Sequence, residues 1–271
     1  MKKVVAGLLV AGILVLGLNQ PVHAGGRSDT TDSSTLIVGA TPVPHAELLT
    51  LVKPDLAAQG ITLQVVEFTD YVQPNAALVS GDLDANFFQH LPYLESNAEW
   101  KEALVTAFGV HVEPFGIYSN SIKAIEDLKE GATIAIPNDP SNGGRALLLL
   151  QSKGLISLRA GSGLSATPLD ITGNPKNLKF RELEAAQLPR SLGDVDAAAI
   201  NGNYALEAGL NPAKDSLVIE GADSPYVNFV VVQKGKENDA RIKALEAALR
   251  SQKVKDYINK TWTDGSVVAI F

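Results

Sequence analysis

Hydrophobic and polar positions change period several times along the chain, and each change predicts an element. Leu36-Ile37-Val38 is a short apolar run ended by Gly39, the mark of a buried strand. From Pro44 to about Gln59 the apolar positions recur at helical spacing, and Gly60 closes the run. Ile61 to Phe68 alternates and is β-rich, which predicts a second strand. Val72 to Ser80 returns to helical spacing, with Gly81 just past its end. Leu83, Ala85 and Phe87 predict a short third strand. This β-α-β-α-β opening implies a mostly parallel sheet.

The pattern then restarts. Thr133 to Ile136 reads as a strand, and Asn142 to Lys153 as a helix closed by Gly154. Lys179 to Leu183 and Ala197 to Ile200 read as further strands, Tyr226 to Gln233 as a long one, and Ala240 to Ser251 as a helix. Two such units predict an α/β protein of two lobes with a ligand cleft between them. Residues 35–115 plus 228–271 are expected in lobe 1 and 116–227 in lobe 2. A strand near Phe115–Tyr118 would carry the chain across, and Tyr226–Gln233 would bring it back. Ligands of open α/β sheets bind beyond the carboxyl ends of strands, and lobes of this kind close by hinge motion.

The N-terminus follows another rule. Lys2 and Lys3 precede an apolar run from Val4 to Leu18, and Val22-His23-Ala24 supplies small residues before a cut. This predicts a secretory signal over residues 1–24, cleaved after Ala24, then a flexible polar segment over 25–34.

Composition narrows the chemistry. The chain has 271 residues, 45% apolar and 20% charged, enough for a packed core. Its net charge of −7 and lack of a basic run argue against nucleic acid as a partner. There is no cysteine, which removes disulfides, thiolate catalysis and cysteine-held metals. The one methionine is Met1, so a chain without its leader would contain no sulfur.

Three stretches could carry a site. Asn138-Asp139-Pro140-Ser141-Asn142-Gly143-Gly144-Arg145 follows a strand and opens a helix. A helix N-terminus suits an anion, and the Arg145 fork fits a carboxylate, with Asn142 beside it. A capped helix with a surface arginine fits this pattern equally well. Asn86-Phe87-Phe88-Gln89-His90-Leu91-Pro92-Tyr93 places aromatics at a strand end. Phe88, His90 and Tyr93 could wall a slot for an apolar side chain such as a thioether, or be ordinary core. Asn201 and Asn228 each sit at a strand end, and an amide can serve either end of a zwitterion. Asn201 also suits a turn, a reading that the apolar residues flanking Asn228 weaken for it.

Catalysis finds little support. No two histidines stand at metal-ligand spacing, Gly-x-Ser-x-Gly is absent, and Asp194 and Asp196 read as a solvated turn. No catalytic residue, metal or cofactor is expected.

At these residues the chain resembles the methionine-binding NlpA-type lipoprotein family of ABC importers. The blocks that carry the resemblance include Phe68-Thr69-Asp70-Tyr71-Val72, Gly81-Asp82-Leu83-Asp84-Ala85-Asn86 and Phe88-Gln89-His90. Pro137 to Asn142, Gln187-Leu188-Pro189-Arg190-Ser191-Leu192 and Ser224-Pro225-Tyr226-Val227-Asn228 extend it. The resemblance implies two α/β lobes enclosing an amino acid. It implies that Arg145, with Asn142, holds the carboxylate and that Asn201 and Asn228 orient the head group. Tyr71, Phe88, His90 and Tyr93 would line the side-chain slot. The implied partners are methionine and a membrane permease with a cytoplasmic ATPase.

The sequence departs from that family at the leader, where no cysteine follows. The expectation is therefore a periplasmic monomer with no lipid anchor. Phe87 also departs, but strand alternation should turn it away from Phe88. Two other readings stay open: the same fold binding another organosulfur compound, such as methionine sulfoxide or a methionine dipeptide, and a surface interaction protein without transport.

Overall fold

Short apolar runs bounded by glycine become the first strands of the fold. In the computed structural model, which describes residues 34–221 and 224–271, β1 spans Thr35–Ala40 and β2 Thr62–Glu67. The expected leader and most of the polar segment behind it lie outside the described residues. Between β1 and β2 runs α1 (Glu47–Ala57), which buries Leu48, Leu49, Val52 and Leu56. Its spacing is the helical one that places such residues on a single face. The regular helix starts later than the pattern predicts, because Pro42–Ala46 forms an irregular wide turn first.

Helix α2 (Gln73–Ser80) stops at Gly81, whose φ of 85° few other residues adopt without strain. Strand β3 (Ala85–His90) follows, and all six of its positions are buried. Short helices α3 (Leu91–Glu95) and α4 (Ala98–Ala103) lead into the nine-residue β4 (Leu104–Val112).

The chain then builds a second sheet. Strands β5 (Gly116–Tyr118) and β6 (Thr133–Pro137) come first, and α5 (Pro140–Ser152) follows β6 directly. A small hairpin of β7 (Ser157–Leu158) and β8 (Ile171–Gly173) precedes β9 (Lys179–Leu183) and α6 (Leu188–Ser191). Strand β10 (Ala197–Ile200), α7 (Gly202–Glu207), α8 (Pro212–Asp215) and β11 (Ser216–Ile219) complete this part. The chain returns through β12 (Val227–Gln233), α9 (Ala240–Leu249), α10 (Gln252–Thr261) and β13 (Val268–Ala269).

Two sheets result, with orders β13-β4-β12-β3-β1-β2 and β11-β5-β10-β6-β9. Each has its own apolar core. Leu36, Val38, Phe87, Val230 and Leu245 belong to the first, and Ile117, Ile134, Leu147 and Ala199 to the second. The fold is two-lobed α/β, but neither sheet is mostly parallel as the opening pattern implied. Strand β1 pairs in parallel with β2 and β3, while β12 runs antiparallel to both β3 and β4. The reason is topological. A strand returning from the other sheet enters from the far end and must run against its neighbours.

Candidate functional site

Carboxyl ends of strands in both sheets meet at one small cavity. All eight residues singled out from sequence line it. Strand β3 supplies Phe88 and His90, and α3 supplies Tyr93. Tyr71 comes from the loop after β2, Asn142 and Arg145 from the start of α5, Asn201 from the end of β10, and Asn228 from β12. Phe87, next to Phe88, points the other way into the first core, as alternation requires.

The α5 entry is built by local rules. Asp139 caps the helix by accepting from the Asn142 backbone N–H at 2.9 Å. It also accepts from Asn142 Nδ2 at 3.0 Å. The Asn142 Oδ1 accepts from Asn201 Nδ2 at 2.8 Å and from His90 Nε2 at 3.1 Å. The Tyr93 backbone N–H donates to His90 Nδ1, which leaves Nε2 as the protonated nitrogen. Asn142 is thus a junction joining β3, α5 and β10, with its Nδ2 engaged by Asp139.

Arg145 is only 4% exposed. Its Nε donates to Glu220 Oε1 at 2.7 Å, and its Nη2 donates to Glu220 Oε2 and to the Glu113 carbonyl. The guanidinium also lies over the ring of Tyr226, 4.0 Å from the centroid, with Phe115 at 5.0 Å. These bonds leave Nη1 as the part of the fork not engaged by Glu220.

A second network lies behind the cavity, and sequence reasoning missed it. His111 Nε2 donates to Glu113 Oε1 at 2.7 Å. His45 Nε2 approaches the same oxygen at 3.3 Å, and Asn228 Nδ2 donates to it at 3.3 Å. His45 Nε2 faces the Glu113 and Asn228 oxygens and so carries the ring proton, which leaves Nδ1 to accept from the Thr41 hydroxyl at 2.8 Å. Burial lowers His45 to about 4 and His111 to about 3, so both rings are neutral. Burial lowers His90 to about 3 as well, helped by Arg145. The Glu113 carboxyl is pushed up by burial and pulled back by His45, Arg145 and the Asn203 backbone N–H.

The signal for this network was available in His111-Val112-Glu113, since residues two apart on a strand share a face. His45, His111 and Glu113 place three metal-capable atoms within 4.8 Å of one another. Their mutual hydrogen bonds account for that arrangement without an ion.

The side-chain end of the cavity is aromatic. Tyr71 lies 5.8 Å from Phe88 and 5.6 Å from Tyr93 by ring centroids. Beyond Tyr71 and Tyr93 is a larger, more open cavity of about 740 Å³, lined also by Asp70, Glu184, Arg190 and Glu207. In the inner cavity Asn201 Oδ1 and Asn203 Nδ2 are buried and find no partner in the protein. An acceptor and a donor, an arginine and an aromatic slot suit a small zwitterion with an apolar side chain.

Comparison with known proteins points the same way. The family model described as NlpA lipoprotein matches residues 36–271. The methionine-binding lipoprotein MetQ of Bacillus subtilis is 42% identical, over 100% of this chain and 99% of the relative. Membrane lipoprotein TpN32 of Treponema pallidum is also 42% identical, over 98% and 97%. A nutrient binding protein from Burkholderia cenocepacia, solved bound to methionine, superposes with a TM-score of 0.84 at 48% identity, covering 87% of this chain and 100% of that one.

These matches correct one expectation. The sequence reading of a protein without a lipid anchor conflicts with a family of lipoproteins, in which the Treponema and Bacillus relatives carry that word in their names. The reading passed from a missing cysteine to a missing lipid. The cysteine count stands, and the step from it does not. Among the described residues no helix is long and apolar enough to cross a membrane.

Proposed function

This chain belongs to the NlpA lipoprotein family, and we propose that it is an extracytoplasmic receptor that captures methionine and delivers it to the permease of an ABC importer. The observation that carries this reading is the enclosed cavity, where a buried arginine and two unpartnered amide atoms face an aromatic slot. Methionine is named on the relatives that bind it.

In this reading Arg145 takes the ligand carboxylate, and Asn142 holds the neighbouring groups in register. Asn201 and Asn228 orient the head group, with Asn201 Oδ1 as an acceptor. Tyr71, Phe88, His90 and Tyr93 surround the side chain, where sulfur packs well against ring edges. Residues 35–115 with 228–271 and residues 116–227 act as the two lobes that close on the ligand. The receptor performs no chemistry on its ligand, and ATP is hydrolysed by a partner.

A thermal-shift panel of L- and D-methionine with other amino acids, on protein refolded free of ligand, tests the reading. A ligand at about 1,000 times its Kd stabilises by roughly 4 kcal/mol. A selective shift with either methionine supports the receptor. No shift with either overturns it.

A further inference from the structure

Glu113 lines the cavity but has no part in the scheme above. It is 5% exposed and stands just past the end of β4. Its Oε1 faces donors from three elements: His111 on β4, His45 from the turn before α1, and Asn228 on β12. Oε1, facing three N–H groups, is an acceptor, and such bonds favour the ionised carboxylate against the burial that opposes it. On its other side stands Gly202. A side chain there would meet Glu113, with a Cβ only 2.8 Å from Glu113 Cβ and 3.1 Å from Oε2. The glycine keeps that side of the carboxylate uncovered by a side chain.

Charge counting gives this carboxylate a role. Arg145 is the cation lining the cavity, and Glu220 already occupies two arms of its fork. A ligand carboxylate at Arg145 then leaves two protein carboxylates and one ligand carboxylate around a single guanidinium. The imbalance is removed by a ligand that brings its own cation. His45 and His111 supply hydrogen bonds to Glu113 without supplying charge. Lysine or arginine there would neutralise Glu113 from within.

We infer that Glu113 accepts the α-ammonium of the ligand, and that His45 and His111 are positioning residues that hold its carboxylate at the cavity. The inference rests on the receptor reading and sharpens its substrate class. The ligand carries a free α-ammonium as well as a carboxylate, and deaminated or N-acylated analogues are refused.

Calorimetric titration with L-methionine and with 4-(methylthio)butanoate, the same molecule without its amino group, tests this. Wild type is expected to prefer methionine by about 100-fold or more, the scale of losing one partner of a buried charge pair. Glu113→Gln keeps the shape and is expected to reduce that preference to below about 10-fold, by weakening methionine while leaving the analogue unchanged or tighter. Glu113→Asp, which keeps the charge but draws it back, should fall between the two. His111→Gln retains a donor and should keep most of the preference, whereas His111→Phe should lose it.

Equal weakening of both ligands by Glu113→Gln would mean a structural role and overturns the inference. So does a preference that Glu113→Gln leaves intact. A wild type that binds no methionine sinks the receptor reading and this inference with it, and is told apart because it appears before any substitution.

Discussion

The Tyr71 hydroxyl donates to Asn203 Oδ1 at 2.5 Å and so ties the loop after β2 to the first turn of α7. The Tyr204 hydroxyl donates to the Thr69 carbonyl at 3.2 Å close by. Both bonds join one lobe to the other and use no ligand atom. In the closure proposed above these bonds form as the cleft shuts, so they are expected to act on escape rather than on entry.

Tyr71→Phe should therefore speed methionine release about 5-fold and leave association unchanged, since one hydrogen bond is worth roughly 1 kcal/mol. Stopped-flow fluorescence can read this through Trp100, whose ring lies 5.4 Å from that of Tyr93 in the cavity wall. Unchanged release would remove the bond from the account. A slower association would show that Tyr71 acts in the open state instead.

Arg145 has a different kind of importance, because the proposed carboxylate contact and the Glu220 ion pair fall on one side chain. Arg145→Ala should weaken methionine by about 3–5 kcal/mol, the cost of stripping a partner from a buried ion. It also leaves Glu220 without its cation, so the folded protein should lose stability as well. Arg145→Lys should recover stability better than affinity, because an ammonium cannot reproduce the two-armed grip on Glu220 while serving a ligand. Calorimetry and urea melts on the same samples separate the two effects. Methionine affinity untouched by either change would exclude Arg145 from the site.

Much of this was legible in the sequence where the signal is local. Short apolar runs ending in glycine, proline or asparagine marked β1, β6 and β10. Strand-end and helix-start motifs marked the residues that gather at the cavity. Strand β4 was missed because its burial does not alternate, and Gly109 interrupts it. With β4 undrawn, His111 and Glu113 had no shared face on which to be noticed. Strand direction was not legible either, since it depends on where β12 comes from and not on its own residues. Glu220 follows β11 in an ordinary polar stretch, and only the fold brings it to Arg145.

The histidine network makes stability depend on pH with a definite sign. His45 is lowered to about 4 in the folded chain by burial, against an ordinary value of 6.5. Below pH 6.5 the unfolded chain gains a proton that the folded chain refuses. This contribution is intact above pH 6.5 and is lost as pH falls from 6.5 towards 4. Glu113, which is buried, Asp139, which is half-buried, and Glu207 are shifted up by desolvation and oppose it, so the clean observable is a difference. The stability of wild type minus that of His45→Gln should fall by up to about 1.4 kcal/mol per pH unit across that window. Urea unfolding at pH 7.5, 6 and 5 measures it, and a constant difference would mean that His45 titrates normally.

Two glycines on one helix test how tightly the α5 entry is packed. A Cβ on Gly144 would stand 2.2 Å from the Leu164 carbonyl oxygen and 2.8 Å from its carbon, both backbone atoms that cannot swing aside. A Cβ on Gly143 would meet the Pro137 carbonyl oxygen at 2.8 Å. The helix therefore lies directly against the end of β6 and the loop at residues 163–165, and that contact sets the depth of Arg145, one residue on. Gly144→Ala adds a single methyl group but must push α5 outward, and overpacking of this kind costs about 1–3 kcal/mol. Displacement of Arg145 should weaken methionine binding as well. Gly193→Ala is the control, since a Cβ there meets nothing within 4 Å. Urea midpoints and methionine titrations of both variants decide the matter. If Gly144→Ala matches Gly193→Ala in both, α5 is free to shift without consequence and its packing does not set the site.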